Sequence, residues 1–247
     1  MKQSIIFMTG CIDPGGMHMT VLNDTEKRKA QYLEAIGFYL KNSGIPVLFV
    51  ENSGNDISGA FPREIRENKL EIITFQGNDY DKKRGKGYGE MLIIEEALHS
   101  SRLFRQAEFI FKVTGRYKVL NIASYIAALN QGQKTPDMMI NLEPGLALAD
   151  SRFFGAVPRF FEELLISYRP QIDEQTFMFF EKALANAVHE AIILGLNYIP
   201  LPHYPRHSAE SGTGGGVYND SWSRWLLKEA LLQWQYRIQN AFRLYGS

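Results

Sequence analysis

Residues 107–117 read AEFIFKVTGRY. A short apolar run that closes in Thr-Gly marks a buried strand reaching its carboxyl end. The residues around that end, Lys112, Arg116 and Lys118, are cationic, and no carboxylate stands among them. In open α/β sheets the carboxyl ends of central strands carry ligands, so this stretch sets both the fold and the question of what a cationic strand end would hold.

Working outward, further strands are expected in SIIFMTG (4–10), IPVLFVENS (45–53), LEIITFQG (70–77) and DMMINLE (137–143). Helical patterning separates them. It covers about 25–42, where Leu33, Ile36, Gly37 and Leu40 share a face, about 90–100, and 122–129. Alternating strands and helices predict a mostly parallel sheet with helices on both faces. Three strands end in polar stretches: Thr9-Gly10, ENSGND (51–56) and KVTGRY (112–117). These are expected to form one rim.

The second half differs. SRFFGAVPRFFEELL (151–165) combines a short strand with a helix start. DEQTFMFFEKALANAVHEAIILG (173–195) reads as a long amphipathic helix with Asp173 as N-cap. A Pro/Gly-rich loop follows at 196–220, then an aromatic C-terminal helix from about Trp222 to Tyr245. With no repeat and no linker, the 247 residues are expected to form a single domain, a nucleotide-binding half to 145 and an acceptor half beyond.

The totals exclude some classes. Net charge is zero, which argues against nucleic acid as partner. The one cysteine, Cys11, excludes an internal disulfide and fits a reducing compartment. No run approaches the roughly 18 apolar residues of a membrane span. A cytoplasmic location is the expectation. His18, His99 and His203 lack metal-ligand spacing.

The order of elements, together with VENSGNDIS (50–58), GKGYGEMLIIEEAL (85–98) and DEQTFMFFEKAL (173–184), resembles the nucleotide-sugar glycosyltransferases of the GT-A fold. It is most similar to those that build bacterial capsule, lipopolysaccharide or O-antigen glycans. The resemblance covers about the first 190 residues. It implies a GT-A-like sheet, a nucleotide-diphosphate sugar as donor and a glycan hydroxyl as acceptor. It also implies that Glu51, Asn52 and Asp56 touch the nucleoside and that Glu181 is the general base of an inverting reaction.

The chain departs from the family where Asp-x-Asp is usual and Lys112-Val-Thr-Gly-Arg116 stands instead. The acidic motif holds a divalent metal against the diphosphate, and cationic side chains can neutralise the same charge. Lys112 and Arg116 are therefore expected to bind diphosphate directly, with no metal and no other cofactor required. Gly85, Lys86 and Gly87 are a second expected donor contact, because clustered glycines allow close backbone approach. Thr9 and Gly10 complete the rim. Arg206 precedes the Gly-rich run 211–216, which is expected to close over the donor phosphates. Asp150 competes with Glu181 for the role of base, since either carboxylate needs only hydrogen-bond reach of the attacking hydroxyl.

Two other readings stand beside this one, a sugar nucleotidyltransferase and a non-catalytic scaffold for envelope-glycan assembly. A nucleotidyltransferase would carry a basic Gly-rich loop directly after the first strand, and TGCIDPGG (9–16) has no basic residue. Aromatic and basic residues mixed in the C-terminal helix suit contact with an anionic membrane and a lipid-linked acceptor. Packing of that helix on its own domain is the better-supported expectation.

Overall fold

The computed structural model describes residues 3–15, 24–131, 135–210, 217–219 and 221–245. The Gly-rich run 211–216 and His18 lie outside them. Among the described residues ten strands and seven α-helices follow in order: β1 (Ser4–Gly10), α1 (Thr25–Asn42), β2 (Val47–Glu51), α2 (Pro62–Arg66), β3 (Leu70–Thr74), α3 (Lys86–Ser100), α4 (Arg102–Gln106), β4 (Phe109–Thr114), β5 (Lys118–Val119), α5 (Ile122–Gln131), β6 (Met138–Met139), β7 (Phe153–Ala156), α6 (Phe180–Ile193), β8 (Tyr198–Ile199), β9 (His207–Glu210), β10 (Val217–Asn219) and α7 (Trp222–Tyr245).

Seven strands form one sheet in the order β3-β2-β1-β4-β7-β6-β8. All neighbours are parallel except at β7, which runs antiparallel to both β4 and β6. This is the expected mixed α/β architecture, a mostly parallel sheet flanked by helices. The near-continuous apolar runs of β1, β2 and β4 follow from burial on both faces. On one face Ile5, Phe7, Leu48, Val50 and Ile110 pack against α3 and α6. On the other Ile6, Met8, Phe49, Phe109, Phe111 and Val113 meet α1 and α5.

Register aligns the strand ends. Thr9 lies opposite Val50 and Thr114, and Gly10 lies opposite Glu51. Side chains alternate along a strand, so Thr9 on β1 and Lys112 on β4 point to the same face as Phe7 and Ile110, toward α3.

Several boundaries move from their sequence readings. Helix α3 begins at Lys86, four residues earlier than its apolar pattern suggests, and takes Gly87 and Gly89 inside it. A Cβ on Gly87 would stand 2.9 Å from Phe180 Cβ and 3.0 Å from its nitrogen, so the glycine lets α3 pack against the start of α6. The expected long helix from Asp173 is broken. Asp173 caps a 3₁₀ turn at Glu174–Thr176, Phe177 turns left-handed, and α6 starts only at Phe180. The Pro/Gly-rich loop contributes β8 to the main sheet, while β9 and β10 join β5 in a small antiparallel sheet. No described helix is long and apolar enough to cross a membrane.

Helix α7 packs back on the domain through one carboxylate. Glu229 accepts from Tyr204 N at 2.6 Å and lies 2.9 Å from His203 Nδ1. Trp225 Nε1 donates to Tyr204 O at 2.8 Å, and Gln233 donates to Pro202 O at 2.7 Å. Trp222, Leu226, Leu227, Leu231 and Trp234 of this helix are exposed.

Candidate active site

A cavity of about 220 Å³ opens at the carboxyl ends of β1, β2 and β4, where a sheet of this kind holds its ligands. Three cations face it: Arg28 from α1, Lys86 from the first turn of α3 and Arg116 from the loop after β4. Arg28 is anchored by donating from Nε to Cys11 O at 3.1 Å and Ile12 O at 3.0 Å. Arg116 donates to Gln31 Oε1 at 3.0 Å. Burial lowers the Lys86 ammonium below its ordinary value. Glu174 opposes this, and the charges of Arg28 and Arg116 add to it. Three positive groups that feel one another around one hollow favour an anion between them.

Asn52, directly after β2, adds a second demand. Its side chain is 2% exposed and lines the cavity. Its backbone is spoken for, with N donating to Gly10 O and O accepting from Gly77 N. Its Oδ1 is buried with no hydrogen-bond partner among the described residues. A buried acceptor left empty costs free energy until a donor arrives. Tyr32, Asn78 and Tyr80 complete the polar wall.

One carboxylate, Glu90, lines this cationic cavity. It accepts from Thr9 Oγ1 at 3.0 Å and forms an ion pair with Lys112 Nζ. Lys112 is fully buried and donates also to Ser151 O at 2.9 Å. Ser151 Oγ donates to Glu181 Oε1 at 2.7 Å. Polar contacts thus lead from Thr9 through Glu90 and Lys112 to the Ser151 backbone, and from the Ser151 hydroxyl to Glu181 at the start of α6.

Of the expected donor contacts, Thr9, Gly10, Asn52, Lys86 and Arg116 meet on the cavity wall. The others do not, each for a local reason. Lys112 lies beneath the wall, neutralised by Glu90. Glu51 is fully buried, and its carboxylate accepts from Ile12 N, Ser53 N, Ser53 Oγ and Asn55 N, tying the loops after β1 and β2 together. Asp56 closes a turn on Ser58 N and Oγ, both at 2.8 Å. Gly85 takes a left-handed φ of 85° against Glu174, and Gly87 abuts Phe180. Arg206 stacks its guanidinium 5.2 Å from the Trp222 ring.

The two candidate bases differ in surroundings. Burial alone would raise the Asp150 carboxyl, but paired hydrogen bonds and charge from Arg152, with His207 nearby, hold it below the usual range. Among the described residues, the Glu181 carboxylate meets the Ser151 hydroxyl. Burial pushes the Cys11 thiol up to about 11, so it stays protonated at neutral pH and is a poor nucleophile.

Sequence reading missed Arg28, Tyr32 and Glu90. Arg28 sits in a charged helical turn, EKRK (26–29), that looks solvated. Glu90 had a signal: it follows the glycine run, and its face of α3 meets the Thr9 face of β1.

No family model matches the chain, and no curated protein matches it in sequence. Similarity appears among solved structures. A protein described as a nucleotide-diphospho-sugar transferase from Desulfovibrio desulfuricans G20 overlaps 81% of this chain and 80% of its own, with 12% identity and TM-score 0.42. The inositol-1-phosphate CTP transferase from T. maritima overlaps 81% and 85%, with 9% identity and TM-score 0.45. The glycosyltransferase GlyE in Streptococcus pneumoniae TIGR4 overlaps 81% and 45%, with 8% identity and TM-score 0.46. Overlap this distant leaves the chemistry to be read from the cavity.

Proposed function

We propose that this chain is a glycosyltransferase that moves a sugar from a nucleotide-diphosphate sugar to a hydroxyl of a surface-glycan acceptor, with inversion and without a divalent metal. The observation that carries the reading is the convergence of Arg28, Lys86 and Arg116 on the cavity that also holds the unpartnered Asn52 carbonyl. A nucleoside diphosphate answers both demands. Its phosphates meet the cations, and an N–H or O–H of the nucleoside meets Asn52 Oδ1. The cations then stabilise charge as it develops on the departing diphosphate. Glu181 takes the acceptor proton in this scheme, because Arg152 already engages both carboxylate oxygens of Asp150. Contact between α7 and the membrane that carries a lipid-linked acceptor belongs to the same reading.

Calorimetric titration with a panel of nucleoside mono-, di- and triphosphates and their sugars tests it. One nucleoside diphosphate and its sugar conjugate should bind, and binding and sugar transfer should survive excess chelator. Arg116→Ala should weaken the diphosphate by about 1.5–3 kcal/mol, the range of a charged hydrogen bond. Tight triphosphate binding with pyrophosphate release on adding a sugar phosphate would instead identify a nucleotidyltransferase. A protein that binds none of the panel is a scaffold.

A further inference from the structure

Beside the cavity lies a surface that the donor does not use. Phe177 is 72% exposed and Phe179 36% exposed, their rings 6.2 Å apart and at 76° to one another. Phe177 holds a left-handed backbone with φ 58° and ψ 25°, a conformation that bulky residues rarely adopt. The loop imposes it. Asp173 and Met178 exchange backbone hydrogen bonds, both at 3.1 Å, and Phe177 N donates to Glu174 O, so the chain must reverse at Phe177. Leu146, 56% exposed, is left-handed as well, with φ 63°. It tips the 142–149 hairpin, which is tied to α6 by Ala149 N donating to Glu181 O at 3.0 Å. Two exposed apolar residues in strained backbone thus stand on the two loops that flank Glu181. Strain of this kind persists where the surrounding structure enforces it, and it clusters at ligand sites.

The same loop touches the cavity. Glu174 Oε1 accepts from the backbone nitrogen of Lys86, a cavity-wall residue, at 3.0 Å. Gly87, the next residue, lies against Phe180. The loop that carries the aromatic pair is therefore fastened to the cavity wall through Glu174, and Glu181 opens the helix that follows it.

We infer that Phe177 and Phe179 form the platform on which a neutral pyranose of the acceptor rests. Aromatic faces carry negative charge density and attract the weakly positive C–H face of a sugar ring. Glu181, two residues beyond Phe179 in the chain, would accept the hydrogen bond of the reacting hydroxyl. The inference rests on the glycosyltransferase reading and adds the acceptor's chemistry and place to it.

The test is saturation-transfer NMR with gluco-, galacto- and manno-configured di- to hexasaccharides, on the full chain and on the double variant Phe177→Gly/Phe179→Ala. Glycine suits the left-handed backbone, and nucleoside diphosphate titration of the variant reports that its fold and cavity are intact. At least one saccharide should bind the parent, and the variant should bind it about tenfold more weakly with unchanged nucleotide affinity. Equal saccharide binding by both proteins, or none by the parent, overturns the platform even where nucleotide binds. Variant-sensitive binding to phosphatidylglycerol vesicles without saccharide binding also overturns it, in favour of lipid. Failure of the parent to bind any nucleotide instead strikes at the donor cavity.

Discussion

Lys112 occupies the face of β4 that Ile110 and Thr114 share, between the rings of Phe154 and Phe180 at 5.7 and 5.4 Å from their centres. Its ammonium is fully buried and depends on Glu90 for its counter-charge. Breaking a buried pair from one side costs far more than removing both charges, because the remaining ion has lost its hydration. Glu90→Gln should therefore destabilise the chain by about 3–5 kcal/mol in urea unfolding. The double variant Lys112→Met/Glu90→Gln should recover most of that loss, a coupling that a double-mutant cycle measures. If the single and double variants are equally unstable, the ion pair is not what holds this part of the sheet to α3. Residue type alone showed that position 112 is charged. The alternation of β4 and the position of α3 decide that the charge is spent inside the protein, while Arg116, past the strand's end, stays at the cavity.

Elements were legible where periodicity was strong and short-range. Strands β1 to β4 and helix α1 match their apolar patterns within a few residues, since each is set by burial of a continuous run. Patterns failed where a neighbour overrides propensity. The glycines of KGYG suggest a loop, yet the segment is helical, and glycine stands there because Phe180 and Tyr80 leave no room for side chains. The segment 173–179 has helical periodicity but forms a tight loop. Helix α7 was readable as a helix, but not which side faces the domain. Trp225, Glu229 and Leu232 are partly buried, while Trp222 and Leu226 are exposed. Glu229→Ala removes the acceptor for Tyr204 N and His203. It should cost about 1.5–3 kcal/mol, read as faster hydrogen exchange across 221–234 with the main sheet unaffected. Unchanged exchange there would mean that the Trp225 and Gln233 hydrogen bonds and apolar contacts seat the helix without Glu229.

At the scale of the whole molecule, Thr9 on the cavity wall and Glu181 at the start of α6 are linked through Glu90, Lys112 and Ser151. In the proposed reaction the acceptor hydroxyl gives its proton to Glu181 while charge collects on the diphosphate at Arg28, Lys86 and Arg116. Glu181→Gln should lower turnover by about 10²–10⁴-fold, the usual contribution of a general base, with donor affinity unchanged in the same titration. Asp150→Asn should be nearly as active as the parent; the reverse pattern would move the base to Asp150. By itself the sequence determined the α/β class, the polar strand-end rim and the absence of an acidic pair after β4, because these depend on apolar runs and residue types along a local stretch of chain. Only the tertiary structure decided which charges meet. Arg28 joins Arg116 across 88 residues of sequence, and Glu90 cancels Lys112 across 22. Whether a charge is available or spent depends on the partner that folding brings to it, and no local pattern encodes that partner.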